Sequence, residues 1–131
     1  MVVVEVNGYI IKPRANLAEA DLHGVNLRRA DLAGADLAGA DLAGAKLKFA
    51  NLSWANLAGA NLEGANLYKA NLSGAKLYRA NLDGANFTWA RASTGTVWPE
   101  GFHPGRAHVR LGRWPGYYRN ARWPEYYWDG S

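Results

Sequence analysis

From Ala15 to Trp89 the sequence reads, in groups of five, ANLAE ADLHG VNLRR ADLAG ADLAG ADLAG AKLKF ANLSW ANLAG ANLEG ANLYK ANLSG AKLYR ANLDG ANFTW. Most groups have the form Ala-(Asp/Asn)-Leu-x-x. Leu holds the third position from Leu17 to Leu82, and Phe87 takes it in the last group. Fourteen successive leucines in one register indicate a structure that repeats at this period, because ordinary globular sequences do not keep such a pattern.

A period of five fits neither an α-helix nor a flat strand. A helix repeats at about 3.6 residues and would spread the leucines around its whole circumference. A strand repeats at two residues, so an odd period would send successive leucines to opposite faces. The pattern therefore predicts a coil that turns a corner every five residues and keeps Leu and Ala pointing inward.

These residues resemble the pentapeptide-repeat family over about 16–92. The resemblance implies an all-β fold, a right-handed quadrilateral parallel β-helix in which four pentapeptides make one square coil. About four coils are then expected, and residues n and n+20 stack at the usual spacing of paired strands, about 4.8 Å. Gly at the fifth position of many repeats suits the tight turns between sides.

The sequence divides into three predicted segments. Residues 1–14 contain two short apolar runs around Asn7-Gly8, the signal of a hairpin that covers one end of the solenoid. Residues 15–92 form the β-helix, and residues 93–131 form a C-terminal cap followed by an irregular aromatic tail. The predicted end-capping residues are Val4, Val6, Tyr9, Trp98 and Phe102.

The last segment carries a second, smaller repeat, RWPGYY at 113–118 and RWPEYY at 122–127. Large aromatic side chains beside Arg are typical of interaction hot spots. We therefore interpret this segment as a docking tail, which either packs along its own solenoid or binds a partner or a second copy. Its residues are Arg113, Trp114, Tyr117, Tyr118, Arg122, Trp123, Tyr126, Tyr127 and Trp128.

Reading the repeat in steps of twenty assigns every pentapeptide to one of four faces. The second face is plain, with a glycine column and several acidic residues. The third face carries a column in which Arg29, Phe49, Lys69 and Trp89 alternate cation and aromatic ring, close enough for cation–π contact. We predict that this face either binds a partner, or is a stack of side chains that stabilises the solenoid itself, or is the surface on which the C-terminal tail packs. The predicted interaction residues are Arg28, Arg29, Lys46, Lys48, Phe49, Trp54, Tyr68, Lys69 and Trp89.

Catalysis finds little support in the sequence. There is no cysteine, and we find no Ser/His/Asp set, phosphate-binding Gly loop or dinucleotide motif. His23 stands alone on the plain face, and His103 and His108 lack a third metal ligand nearby. We predict no enzyme activity, no cofactor and no metal. With no apolar run of about 18 residues and no secretory leader, a cytoplasmic protein or a virion component is expected.

We therefore predict a non-catalytic structural or interaction module, whose partner is a protein, a second copy or a larger assembly. Decoration of a virion capsid is one alternative. The family resemblance also implies mimicry of DNA toward type II topoisomerases, but that needs a strongly negative surface, and this chain has a formal charge of +4. Nucleic-acid binding is a further alternative, which the modest charge disfavours. No membrane or small-molecule partner is expected.

Overall fold

Parallel backbone bridges join residues twenty positions apart along the repeat. The first joins Asn16 to Asp36 and the series continues to Asn71 and Arg91. The structure, a computed structural model, describes residues 4–111. The bridges are single residues rather than long strands because the chain turns again after each short contact. Four pentapeptides therefore complete one coil, as the sequence predicts, and the fold is an all-β solenoid.

Inside the solenoid, the leucines form a closed ladder. Every repeat leucine from Leu17 to Leu77 is at most 2% exposed, and the alanines at the first position of the repeats are nearly all buried as well. Phe87, which replaces Leu in the last group, is 2% exposed. Each buried leucine contributes about 1.5–3 kcal/mol of gross burial free energy, so the uniform register supplies the core without any other long-range pairing.

Two local hydrogen bonds shape most sides of a coil. In a typical repeat the Asn51 side-chain Oδ1 accepts from the backbone N–H of Ser53 at 3.1 Å, an Asx turn. The N–H of Ala55 donates to the carbonyl of Leu52 at 3.1 Å and closes the corner. Between corners, the Leu52 N–H donates to the Asn71 carbonyl of the next coil at 2.8 Å. The small alanine lets the chain turn without leaving a void.

The N-terminal segment is an antiparallel hairpin. Strand β1, Val4–Val6, pairs with strand β2, Tyr9–Ile11. Asn7 and Gly8 both have positive φ, 51° and 81°, as a type I′ turn requires. Ile11 is buried in the leucine core, and Val6 and Tyr9 pack against that core, whereas Val4 is 45% exposed. The role of these residues as an end cap stays a prediction.

After the last regular bridge, the stacking continues with altered spacing. Strand β3, Arg91–Ala92, pairs in parallel with strand β4, Arg110–Leu111. The bridge from Lys76 reaches Val97, twenty-one positions on, and the step from Arg91 to Arg110 is nineteen. Residues 93–110 therefore add a longer, irregular turn on top of the repeat.

Aromatic side chains pack together beneath this irregular turn, and the role of Trp98 and Phe102 as an end cap stays a prediction. Trp98 is buried, and its ring lies 5.8 Å from the Phe87 ring, edge to face. Phe102 packs on both, 5.3 Å from Phe87 and 4.9 Å from Trp98 between ring centroids. Buried Thr96 ties the turn to the coil below, since its hydroxyl donates to the Leu72 carbonyl at 2.8 Å.

The described residues contain no helix that is long and apolar enough to cross a membrane.

Candidate functional site

The fifth residue of each repeat adopts the left-handed backbone conformation, whatever its side chain. In the third-face column Arg29, Phe49, Lys69 and Trp89 have φ of 62°, 63°, 56° and 61°. For a residue with a Cβ this conformation costs roughly 1–2 kcal/mol relative to the right-handed one, and it is unusual for bulky side chains. We call these four residues the basic-aromatic column.

On the neighbouring face the same positions are all glycine. Gly24, Gly44, Gly64 and Gly84 have φ between 65° and 70°, the same conformation without the Cβ penalty. We call them the glycine column. The two columns lie on adjacent sides of the coil, and their residues have the same left-handed backbone conformation. The contrast between them is therefore one of residue choice alone.

Cations surround one aromatic ring in the middle of the basic-aromatic column. The Arg29 guanidinium carbon lies 4.8 Å from the Phe49 ring centroid, and Arg28 lies 5.4 Å from it. From the coil above, the Lys69 ammonium approaches the same ring at 5.9 Å. Such contacts contribute about 0.5–1 kcal/mol each at exposed sites.

Tyr68 extends this cluster sideways. Its ring meets the Phe49 ring edge to face at 6.0 Å, and the Lys48 ammonium lies 5.1 Å from it. Lys69 also approaches it, at 5.5 Å. The structure thus brings six of the predicted interaction residues into one contact cluster, which consists of Arg28, Arg29, Lys48, Phe49, Tyr68 and Lys69.

The alternation of cation and ring does not continue to Trp89 in the predicted way. The cation over the Trp89 ring is Arg110, at 5.4 Å, while Lys69 turns toward Phe49 and Tyr68. Arg110 belongs to β4, so its position depends on the irregular turn rather than on the repeat. Sequence reasoning missed this residue, because no fixed spacing links it to Trp89. Trp89 itself remains 50% exposed.

The other two predicted interaction residues lie beside the cluster. Lys46 occupies the second position of its repeat on the third face and is exposed. Trp54 lies around the corner on the fourth face and is 71% exposed. Its indole rests against Gly74 so closely that a Cβ there would collide with the ring. An aromatic side chain at a fifth position can therefore lie flat on the glycine of the next coil.

The third face carries positive charges and no negative charges. Its four repeats, at 26–29, 46–49, 66–69 and 86–89, contain five Lys or Arg residues and no Asp or Glu. Within residues 4–111 the one ion pair joins His23 to Asp21, on the second face. The cations of the third face therefore share aromatic rings with one another but have no carboxylate partner among the described residues.

On the second face, the structure groups His23 with two carboxylates, which corrects the expectation that this histidine stands alone. Its Nδ1 lies 2.5 Å from the Asp21 Oδ1. One ligand atom from each of Asp21, His23 and Asp41 lies within 4.8 Å of the others. The hydrogen bond to Asp21 raises the pKa of the His23 imidazole, and the same bond lowers the pKa of the Asp21 carboxyl. Asp21 and His23 are exposed, Asp41 is half-buried, and the three residues could offer three metal ligands.

A depression of about 250 Å³ lies near the C-terminal end of the solenoid. It is lined by residues 80–83 and 99–102, including the carboxylates Asp83 and Glu100. No histidine or nucleophile lines it, so its residues do not form an acid–base or nucleophilic set.

The predicted docking tail, from Arg113 to Trp128, lies outside the described residues. Close to the end of the described residues, Arg110 stands over the Trp89 ring. The path of the chain thus leaves the described part of the fold beside the upper end of the basic-aromatic column.

A family model of pentapeptide repeats matches residues 14–48 and 50–88, in eight copies. The geometry described above, a solenoid with a twenty-residue coil, is what this repeat builds. The chain belongs to the pentapeptide-repeat family. Proteins of this family are generally structural and not enzymes. Among curated proteins no match to the chain was found.

Solved structures of the family are similar over most of the described region. The pentapeptide repeat protein alr5209 from Nostoc PCC 7120 is 39% identical with a TM-score of 0.75, over 77% of this chain and 84% of that one. HetL from Nostoc sp. strain PCC 7120, involved in the regulation of heterocyst differentiation, is 36% identical with a TM-score of 0.59, over 66% of this chain and 42% of its own. A pentapeptide repeat protein of the Arabidopsis thaliana thylakoid lumen is 33% identical with a TM-score of 0.50, over 61% of this chain and 64% of its own.

Proposed function

We propose that this protein is a non-catalytic interaction module, a rigid solenoid that binds the acidic surface of a protein partner through its third face. The observation that carries the proposal is the basic-aromatic column. Four successive coils place Arg29, Phe49, Lys69 and Trp89 in a left-handed conformation that glycine would adopt without strain.

The cost of this column supports a role outside folding. At roughly 1–2 kcal/mol for each residue, four such positions oppose folding by an amount comparable to the marginal stability of a small domain. Strained non-glycine residues cluster where function requires their side chains. The glycine column next to it shows that the fold itself has no need of them.

The chemistry of the face favours a partner that carries carboxylates. Arg28, Arg29, Lys46, Lys48 and Lys69 have no acidic neighbour on their face. Several of these cations lie over the rings of Phe49 and Tyr68. These contacts order the cationic side chains before a partner binds, so less conformational entropy is lost on binding. Arg and aromatic residues are also the types that contribute most at protein interfaces.

The proposal keeps the finer features expected from the sequence. These are a right-handed solenoid of about four coils, caps at both ends, a cytoplasmic setting and a C-terminal tail that adds a second contact. A larger assembly, such as a capsid, is one form that the partner can take.

A fluorescently labelled deca-glutamate peptide tests the proposal by anisotropy. The full-length protein should bind it, and Lys69→Glu should weaken binding about tenfold, since tenfold corresponds to about 1.4 kcal/mol and reversing a close charge costs at least this much. The matched control is Arg79→Glu, a fifth-position cation with φ of 60° on the first face, which should change affinity less than about twofold, the range of a distant, screened charge.

Absence of binding, or equal weakening by both variants, would contradict a specific face. A ten-nucleotide oligothymidylate serves as the second probe. If it binds more tightly than the peptide, with a steep dependence on salt, the partner is a nucleic acid and the proposal is wrong.

A further inference from the structure

We infer that the acidic surface bound by the third face belongs to a second copy of this chain, and that four copies close a ring. The contact pairs the third face of one copy with the second face of the next. This inference rests on the proposed function, because it names the partner of the same basic-aromatic face.

The second and third faces carry opposite charge. The second face, built from repeats at 21–24, 41–44, 61–64 and 81–84, contains four Asp or Glu residues and no Lys or Arg. The third face has the opposite composition, five Lys or Arg and no Asp or Glu. Two adjacent sides of one solenoid thus carry opposite charge, which is the condition for a face to recognise its neighbour's counterpart.

The second argument is shape. The glycine column leaves the second face without side chains at its fifth positions, and Cβ atoms at Gly24 and Gly64 would meet nothing within 4 Å. Room is therefore available for protruding side chains of another copy. Trp54 resting on Gly74 shows, within this chain, that an aromatic ring lies well on such a glycine. Both faces also repeat at the same coil spacing, so their rows match level by level.

The third argument is symmetry. A two-fold dimer through the third face would place like charges against each other, since such an interface uses the same patch twice. Pairing the third face with the second is instead heterologous. Because four pentapeptides make one coil, the two faces are adjacent sides of a square, and each contact turns the next copy by about a quarter turn. A heterologous interface closes when the rotation divides a full circle, and here it closes after four copies with parallel axes.

The arrangement also fixes which columns meet. Facing sides run in opposite lateral directions, so the fifth positions of the third face oppose the second positions of the second face. Arg29 then lies opposite Asp21 of the opposing copy, and Lys69 lies opposite Asn61. Lys46 lies close to the shared axis, opposite Gly44. The predicted ion pair is therefore Arg29 with Asp21, and the opposite net charge of the two faces supplies the rest of the attraction.

The decisive experiment uses two charge-reversed variants of the full-length chain. Arg28→Glu, Arg29→Glu and Lys69→Glu together turn the net charge of the third face from +5 to −1, so both faces are negative. Asp21→Lys, Asp41→Lys and Glu63→Lys together turn the net charge of the second face from −4 to +2, so both faces are positive. Lys already stands at the second position of other repeats, in Lys46 and Lys76, so Asp21→Lys is compatible with the fold. Circular dichroism should show that both variants keep the native spectrum.

Light scattering coupled to size exclusion, at about 50 mM salt, gives the readout. The unaltered protein should elute as four chains of 14.3 kDa each and dissociate at 1 M salt. Each variant alone should be a monomer, and an equimolar mixture should reassemble into a four-chain species with alternating copies. The control pair Arg79→Glu and Glu5→Lys, which reverses charges elsewhere, should remain assembled.

Several results would overturn the inference. A monomer or a two-fold dimer for the unaltered protein contradicts the ring, as does a mixture of the two variants that stays monomeric. A four-chain species that both variants retain places the contact on other faces. If the unaltered protein is monomeric yet binds the deca-glutamate peptide, the partner is a different protein and only the ring is wrong. If it neither assembles nor binds the peptide, the proposed function fails as well.

Discussion

The glycine column and the basic-aromatic column have the same backbone and differ in every side chain. Gly44 and Phe49, five residues apart on one coil, have φ of 65° and 63°. The solenoid thus imposes the left-handed conformation through backbone hydrogen bonds that both positions share. The N–H of Gly44 and that of Phe49 each donate to a carbonyl of the next coil, and a corner hydrogen bond follows each residue. Glycine accepts this conformation freely, whereas Phe49 adopts it at a cost. The comparison teaches that the fold tolerates side chains at these positions but does not require them.

The largest expected effect tests whether the two columns share one core. Leu42→Ala, beneath the glycine column, and Leu47→Ala, beneath the basic-aromatic column, should each lower the free energy of unfolding by about 2–5 kcal/mol. Both leucines are fully buried, so the two losses should agree within about 1 kcal/mol, inside the spread of such substitutions. Urea denaturation measures them. A much smaller loss for Leu47→Ala would mean that the basic-aromatic face carries part of the stability itself.

A second test breaks the glycine column. Gly44→Ala should lower the free energy of unfolding by roughly 1–2 kcal/mol, the cost of a Cβ in the left-handed conformation. The nearest atom to that Cβ, the Gly24 Cα, is 4.0 Å away, so the loss reports backbone strain rather than a clash. Ala43→Ser, at the preceding residue, is the control and should change stability by less than about 0.5 kcal/mol. Equal stability of Gly44→Ala and the unaltered protein would contradict the strain argument.

The third test relieves strain on the other column. The free energy of unfolding of the Lys69→Gly variant should exceed that of the Lys69→Ala variant by about 1 kcal/mol. Both substitutions remove the cation, but only glycine also removes the Cβ. Both variants should lose affinity for the deca-glutamate peptide. A gain in stability with a loss of binding is the trade-off expected of a functional residue. If Lys69→Gly is the less stable of the two, side-chain packing outweighs backbone strain at this column.

The smallest effect concerns the His23–Asp21 pair beside the glycine column. The raised pKa of His23 means that its stabilisation is complete below its ordinary value of 6.5 and is lost as pH rises through the folded pKa. The lowered pKa of Asp21 means that its stabilisation is present above its ordinary 3.8 and is lost as pH falls through the folded pKa. The pair therefore stabilises the fold most between these two values.

An NMR titration of the His23 ring should show the raised pKa in the unaltered protein. Asp21→Asn should return it toward 6.5, because the amide removes the negative charge while it keeps a polar side chain in the ladder. No change on Asp21→Asn would mean that the hydrogen bond does not persist in solution.

The sequence predicted the solenoid well because one rule covers the whole core. Each leucine satisfies the same inward register, and the family and the bridges at twenty positions follow from it. The grouping of His23 with Asp21 and Asp41 was also within reach, since Asp41 stands twenty residues after Asp21. Sequence reasoning missed it, because the glycine column makes the second face look plain.

Other features needed the folded chain. Arg110 meets Trp89 only because residues 93–110 take an irregular path whose bridges span twenty-one and nineteen positions, and no periodic rule yields such numbers. The left-handed conformation at Phe49 and Trp89 was equally hidden, because bulky residues rarely adopt it and their propensities argue against it. Tertiary hydrogen bonding between coils overrides that local preference.

The twenty-residue coil determines which insertions and deletions the chain can accept without a change of its core or its surface. Loss or gain of twenty residues keeps every leucine inside and merely shortens or lengthens each face by one row. Loss or gain of five also keeps every leucine inside, but it rotates all later residues by a quarter turn. Lys69 and Trp89 would then leave the column of Arg29 and Phe49 for the adjacent side. The insertion of a single pentapeptide thus keeps the leucine core but changes which side chains share a face. Only insertions or deletions of four repeats preserve both the core and the faces.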